Sequence, residues 1–251
     1  MRGVLAVALC GCGFQPSAAG VAPVDGALTI VDTATEGPTP PDPCAGTLLC
    51  LTFDLDPLPE MLPNGGSASV SATLTAITRG DGITGGDAEM SSTSQIFVPS
   101  VPQLSGVFAL DYWVRIDQDP AANDRVGMID SAAGGGFSSF YYNYTTTPEV
   151  RCTINSFDFY VYVAPFTGWT HVACSCDAPI LTVYVNGLLV ASQDQQCAGA
   201  ATVAPYGIQV GADNVSGAGN TDNVLQGALD DVRLYNAPLT AEQVCKLAGT
   251  C

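Results

Sequence analysis

Short runs rich in Val, Ile, Phe, Tyr and Thr recur along most of this 251-residue chain, each bounded by Gly, Pro, Asn or Asp, and this rhythm constrains its fold most. The clear runs are Leu48–Phe53, Phe108–Ile116, Phe137–Tyr144, Phe157–Val163, Thr170–Cys174, Ile180–Val185, Leu188–Ala191, Ile208–Gly211 and Ala228–Tyr235. Asn186-Gly187 separates two of them by two residues that both accept positive φ, which is a hairpin signal. Ser67–Thr78 has strand-like residues without clear alternation. One helix is expected at Thr240–Ala248, where Thr240 and Gln243 stand at capping-box spacing. Many antiparallel strands and one terminal helix predict an all-β, two-sheet antiparallel sandwich.

Composition sets the partners. Charged residues are 12% of the chain and hydrophobic ones 47%, the balance of a chain that buries a core. Lys and Arg number 7 against 24 acids, for a formal charge of -17. Binding a phosphate backbone needs a basic face that releases counterions, so nucleic acid is excluded as a partner and an anionic lipid surface is a poor one. Cations and neutral ligands remain.

The N-terminus reads as an address. Arg2 precedes an apolar run from Gly3 to Leu9, the form of a short export leader. Leu9-Cys10-Gly11-Cys12 resembles a bacterial lipoprotein lipobox, with residues 1–11 as the signal peptide and Cys12 as the lipidated residue. The resemblance implies an outer-membrane or cell-surface lipoprotein, since Gly13 is not the aspartate that retains lipoproteins at an inner membrane. An ordinary leader would make the protein secreted or periplasmic. Residues 12–46 are small, acidic and proline-rich, including Gly-Pro-Thr-Pro-Pro-Asp-Pro at 37–43, and read as a disordered, extended linker. No apolar stretch approaches the roughly 18 residues of a membrane-spanning helix, so the expected membrane contact is through lipid alone.

Beyond the leader lie Cys44, Cys50, Cys152, Cys174, Cys176, Cys197, Cys245 and Cys251. An even number in an exported chain implies disulfides. The short spacings let Cys44 close on Cys50 and Cys245 on Cys251. Among the central strands the pairs 152 with 174 and 176 with 197 are favoured. Zinc is a poor reading, because Cys174-Ser-Cys176 lacks the two-residue gap of zinc knuckles and His171 is the sole histidine.

Four segments then carry a family resemblance: Phe108-Ala-Leu-Asp-Tyr-Trp-Val-Arg, Trp169-Thr-His-Val-Ala, Leu181-Thr-Val-Tyr-Val-Asn-Gly-Leu-Leu-Val-Ala, and Gly227-Ala-Leu-Asp-Asp-Val-Arg-Leu-Tyr-Asn-Ala-Pro-Leu-Thr-Ala-Glu-Gln. In order and spacing they resemble the laminin G-like branch of the concanavalin A-like lectin/glucanase superfamily. The resemblance covers residues 47–251 and implies a jelly-roll domain there, with Leu49-Cys-Leu-Thr-Phe-Asp as first strand and Gln95-Ile-Phe-Val-Pro before the Trp113 motif. The cysteines and a long insert from Pro57 to Thr84 depart from it. In sandwich relatives a cation commonly bridges the first and last long strands; Asp54 and Asp230 occupy those places, which implies a structural calcium.

Fold does not give function. Glycan-hydrolysing relatives cluster glutamates around an aspartate, whereas Glu36, Glu60, Glu89, Glu149 and Glu242 are scattered, so a non-enzymatic domain is expected. His171 sits in the family's Trp-x-His-Val strand, which implies packing rather than catalysis. Trp113 and Trp169 are expected in the core. Tyr160 and Tyr162 alternate with Phe157, Phe159, Val161 and Val163, so a two-residue period puts both tyrosines opposite an apolar face; Tyr142 and Tyr144 repeat the pattern. Exposed tyrosines can stack on sugar, or simply fill a sheet surface. The leading expectation is a surface lipoprotein domain that binds glycan or an extracellular or envelope protein through Tyr142, Tyr160 and Tyr162. A divergent glycoside hydrolase using aspartates and a purely structural adhesion module stay open.

Overall fold

The computed structural model describes residues 42–251, apart from 102–103, 106, 132–135, 146, 155–156, 195–196, 198–199, 202–206 and 215–220. Cys12, the leader and most of the linker lie outside the described residues. Two eight-stranded antiparallel sheets form the body. In spatial order the first runs Leu188–Asp194, Ile180–Val185, Thr170–Asp177, Phe108–Ile116, Gly227–Tyr235, Gly86–Met90 and Thr78–Asp81, and Thr47–Leu51 also pairs with Gly227–Tyr235. The second runs Phe157–Tyr162, Thr147–Ile154, Phe137–Tyr144, Asp124–Asp130, Ile208–Val210, Gln95–Val98, Ser71–Thr75 and Met61–Pro63. Two short ribbons pair Leu104–Ser105 with Ala200–Ala201 and Asp213–Asn214 with Thr221–Asp222.

Alternation along each strand builds the layers. In Phe108–Ile116 the residues Phe108, Leu110, Tyr112 and Val114 enter the core between the sheets, facing Phe137, Tyr141, Val150 and Ile154 of the second sheet. Ala109 turns the other way and packs with Ala173, Tyr184, Tyr235, Leu239 and Val244 beneath the C-terminal segment. That segment ends in the helix Ala241–Leu247, capped by Thr240 with the reciprocal Gln243 contact the sequence predicts. Ser175 Oγ receives the Leu239 N–H at 2.9 Å and donates to the Leu239 carbonyl, so the segment is stitched to the sheet it covers.

The hairpin at Asn186-Gly187 forms as expected, with φ of 50° and 77°. The stretch read as an insert is structural: it supplies Met61–Pro63 and Ser71–Thr75 to one sheet and Thr78–Asp81 to the other. Met61–Pro63 and Thr78–Asp81 are edge strands, whereas Ser71–Thr75 is paired on both flanks. Asp124–Asp130 and Thr147–Ile154 also escaped the sequence reading, because charged residues interrupt their apolar positions.

All four disulfides pair as the spacings suggest: Cys44–Cys50, Cys152–Cys174, Cys176–Cys197 and Cys245–Cys251. Cys152 and Cys174 sit on different sheets, so their bridge crosses the core, beside a Tyr112 Oη···Ser139 Oγ hydrogen bond of 2.7 Å that also joins the two sheets. Chain-entropy arguments scale with loop length, which is 22 residues for this bridge and 6 for the one that closes the C-terminus. Replacing Cys152 and Cys174 together by alanine is expected to lower stability by about 3 kcal/mol, against about 2 kcal/mol for Cys245 and Cys251. Urea midpoints under non-reducing conditions measure both, and equal losses would show that the inter-sheet bridge carries no special constraint.

Candidate functional site: an aromatic sheet face

The second sheet keeps its outer face open near the edge strand Phe157–Tyr162. Register makes the face legible: Arg125, Tyr142, Glu149 and Tyr162 form one cross-strand row, and Gly127, Phe140, Arg151 and Tyr160 the next. The opposite sides of the same strands carry Tyr141, Val150, Cys152, Phe159 and Val161 into the core. The three expected tyrosines therefore share one surface, as the two-residue period requires. Tyr160 is 51% exposed, Tyr162 58% and Tyr144 45%.

Basic side chains lie between the rings. The Arg151 guanidinium is 3.9 Å from the Tyr142 ring centroid and 5.7 Å from that of Tyr160, and Arg125 is 4.3 Å from Phe140. Such cation–π contacts add to ion pairs in holding a guanidinium in place. Arg151 bonds Glu149 Oε2 at 2.9 Å, and Arg125 Nε bonds Asp213 Oδ2 at 2.8 Å. Glu149 is buried beneath this layer, between Tyr142 and Tyr162 in the row. Tyr142 donates its hydroxyl to the Asn123 carbonyl at 3.1 Å. Ring centroids are 6.2 Å apart for Tyr142 and Tyr144 and 6.0 Å for Tyr160 and Tyr162. The result is an aromatic surface, with the Tyr160 and Tyr162 rings inclined at 74° to each other, whose charges are internally paired. Sequence reasoning missed Phe140, Glu149, Arg151 and Arg125; the Glu-Val-Arg-Cys-Thr-Ile alternation was the available signal for two of them.

The expected cation residues meet at a break in the first sheet. Along one flank of Gly227–Tyr235, Gly86–Met90 pairs with residues 227–229 and Thr47–Leu51 with residues 232–235, leaving a gap at Asp230 and Asp231. A β-bulge falls there, with Asp231 at φ 50°. Asp230 Oδ2 accepts the N–H groups of Ile83 and Thr84, its Oδ1 accepts that of Asp231, and Asp54 Oδ1 accepts that of Gly86. Gly85, at φ +81°, is pressed against Asp54, where a Cβ would collide with the carboxylate. Burial, reinforced by the neighbouring Asp231 carboxylate, pushes the Asp230 pKa up to about 7. Asp231 is also raised by burial, although Arg233 opposes the shift, and its Oδ1 is buried without a partner. Three carboxylates thus crowd one turn, a donor chemistry that suits a hard cation. Among the described residues no group of three or more Asp, Glu, His or Cys side chains is arranged to hold a metal, so main-chain oxygens such as that of Phe53, close to Gly86, would have to complete any shell.

His171 is fully buried, with Nε2 3.0 Å from Asp111 Oδ2. The same oxygen accepts from Arg233, which also pairs with Asp231 at 2.7 Å. This is a buried ion network, in keeping with a packing role. Trp113 and Trp169 depart from expectation: both are half-buried rather than core. Period two sends Trp113 outward with Asp111, edge-on to His171 at 5.2 Å, and Trp169 lies under Arg115 at 5.5 Å.

Two antiparallel sheets face to face, one partly covered outside by the C-terminal segment and the other presenting aromatic rings, define a jelly-roll sandwich. The chain belongs to the concanavalin A-like lectin/glucanases superfamily, whose laminin G model matches residues 90–245, more than half of the sequence. No curated protein sequence matches it. Among solved structures, domain 4 of AbnA, an extracellular GH43 arabinanase from Geobacillus stearothermophilus in complex with arabinotriose, is 19% identical, with 80% of this chain and 98% of that domain covered and a TM-score of 0.56. The binding domain of Paraclostridial Mosquitocidal Protein 1 is 13% identical over 82% of this chain and 52% of that one, at TM-score 0.63. The binding domain of botulinum neurotoxin DC in complex with SialylT is 11% identical over 83% and 52%, at TM-score 0.60. The chain spans about half the length of these toxin domains, and at such identities the likeness is one of fold.

Proposed function

We propose that this protein is a non-enzymatic, surface-displayed lipoprotein whose jelly-roll domain binds glycan on the aromatic face of its second sheet. One observation carries the reading: Tyr144, Tyr160 and Tyr162, each close to half exposed or more, share a face with Tyr142 in a chain with few other large exposed rings among the described residues. Tyrosine faces stack on the apolar faces of sugars while their hydroxyls stay hydrated. Supporting the class of ligand, one fold neighbour was solved with arabinotriose and another with SialylT. Four disulfides suit an oxidising, exported location. No helix among the described residues is long and apolar enough to cross a membrane. Anchorage is assigned to acylated Cys12, since several acyl chains, at about 0.8 kcal/mol per buried CH₂, hold a protein stably. Mass spectrometry of the native N-terminus should find that cysteine lipidated, and a mature chain beginning elsewhere removes the anchor from the proposal.

Because Tyr160 and Tyr162 are more exposed than buried, changing both to alanine should leave folding intact and weaken glycan binding at least tenfold, read on a glycan array and then by calorimetry. Unchanged binding would move the ligand elsewhere, and reducing sugar released from a polysaccharide panel would establish an enzyme instead.

A structural calcium is the second element of the proposal, favoured by the crowded carboxylates of Asp54, Asp230 and Asp231 and the unpartnered Asp231 Oδ1. Its role would be to neutralise charge at the break in the first sheet. Millimolar calcium should raise the melting temperature by several degrees over chelator, and Asp54→Asn with Asp230→Asn should abolish the difference. Identical melting in both buffers would remove the ion from the account.

A further inference from the structure

The open face does not stop at the tyrosines. Arg125, in register with Tyr142, also lines a pocket of about 400 Å³ between residues 118–126 and 222–226 at one end of the sandwich. The tyrosine strand is stitched to this rim: besides the Tyr142 hydroxyl on the Asn123 carbonyl, Asn143 Nδ2 donates to the Pro120 carbonyl at 2.9 Å. Platform and pocket are therefore neighbouring parts of one surface.

The pocket's chemistry is one-sided. Asp119, Asp124 and Asp222 line it. In each, one oxygen is engaged within the protein: Asp119 Oδ1 by the Tyr141 hydroxyl at 3.3 Å, Asp124 Oδ1 by the Arg125 N–H at 2.8 Å, and Asp222 Oδ1 by the Asn223 N–H at 2.8 Å. The second oxygen of each has no partner among the described residues. Arg125 is the one basic side chain in the lining and is already held by Asp213, which Asn223 Nδ2 also bonds at 3.0 Å. Asp213 Oδ1 is buried beside these two lining residues with no partner. Acceptors are thus in surplus and positive charge is spent. A ligand that supplies hydroxyl donors is favoured through charge-assisted hydrogen bonds, whereas a carboxylated or sulfated sugar would meet like charge here and across a chain of net charge -17.

We infer that this pocket is a second subsite of the tyrosine face, and that the surface takes an uncharged oligosaccharide whose chain stacks on the tyrosines while a terminal ring gives its hydroxyls to Asp119, Asp124 and Asp222. The inference rests on the reading of the tyrosine face as a glycan surface and adds to it a ligand class and an end. It departs from what a sialylated ligand needs, namely an unspent cation.

The test is calorimetric titration of the full chain with neutral xylo-, cello- and arabino-oligosaccharides, from disaccharide to hexasaccharide, alongside oligogalacturonates as the anionic counterpart. Three proteins are compared: the unaltered chain, Asp124→Ala with Asp222→Ala, and Tyr160→Ala with Tyr162→Ala. Neutral oligosaccharides should bind and oligogalacturonates should not. The double aspartate variant should lose about tenfold in affinity for the longer chains with an unchanged melting temperature. Affinity lost in the tyrosine variant but kept in the aspartate variant overturns the second subsite and leaves the tyrosine face standing. Preference for oligogalacturonates overturns the ligand class. Binding that neither pair of changes disturbs overturns both the subsite and the tyrosine reading.

Discussion

Everything in this structure depends on the packing of two inner sheet faces, held in register by one covalent and one polar link through the core. Cys152–Cys174 and Tyr112–Ser139 each join a strand of one sheet to a strand of the other, amid apolar side chains that make directional contacts scarce. With the inner faces committed, every functional group must stand on an outer face or a rim, because strand residues alternate strictly.

The two outer faces meet different ends. Over the first sheet, the C-terminal segment and its capped helix pack on Ala109, Ala173 and Tyr184, and on the same face Asp111 and Arg233 are buried deeply enough that their charges must be paired. Removing one partner from such a network leaves an uncompensated buried charge, which costs far more than the pair itself contributes. Over the second sheet, Gly127 lets the Ala212–Asp213 backbone lie against the strand, but the cover stops before Tyr142 and Tyr160. The chain has only seven Lys and Arg, and Arg115, Arg125, Arg151, Arg233 and Lys246 are all in ion pairs. Few cations are left to recognise an anion, so the open face is aromatic and acceptor-rich.

Much of the fold was legible because its strongest signals are local. Phe108–Ile116, Phe137–Tyr144 and Ile180–Val185 have their expected limits, since β-branched and aromatic runs between turn residues fit a half-buried pleat. The capping box at Thr240 and the Asn186-Gly187 turn needed only neighbouring residues to form. Thr147–Ile154 was not legible, and with it went Glu149 and Arg151: a charge on an outer sheet face looks like a loop until the covering rings are known. The tryptophans misled for the same reason, since size and apolarity argue for burial while strand phase sends Trp113 outward.

By itself the sequence determined the two-sheet class and the face on which Tyr142, Tyr160 and Tyr162 stand, because strand period is a property of adjacent residues; it only favoured one pairing of the eight body cysteines, which the structure bears out. Only the tertiary structure decided which sheet the C-terminal segment covers, that Asp54, Asp230 and Asp231 meet at a break in a sheet, and that Arg125 links the tyrosines to a polar pocket. Those outcomes rest on register between strands far apart in the chain, such as Thr47 opposite Tyr235, and register is set by how the whole core closes.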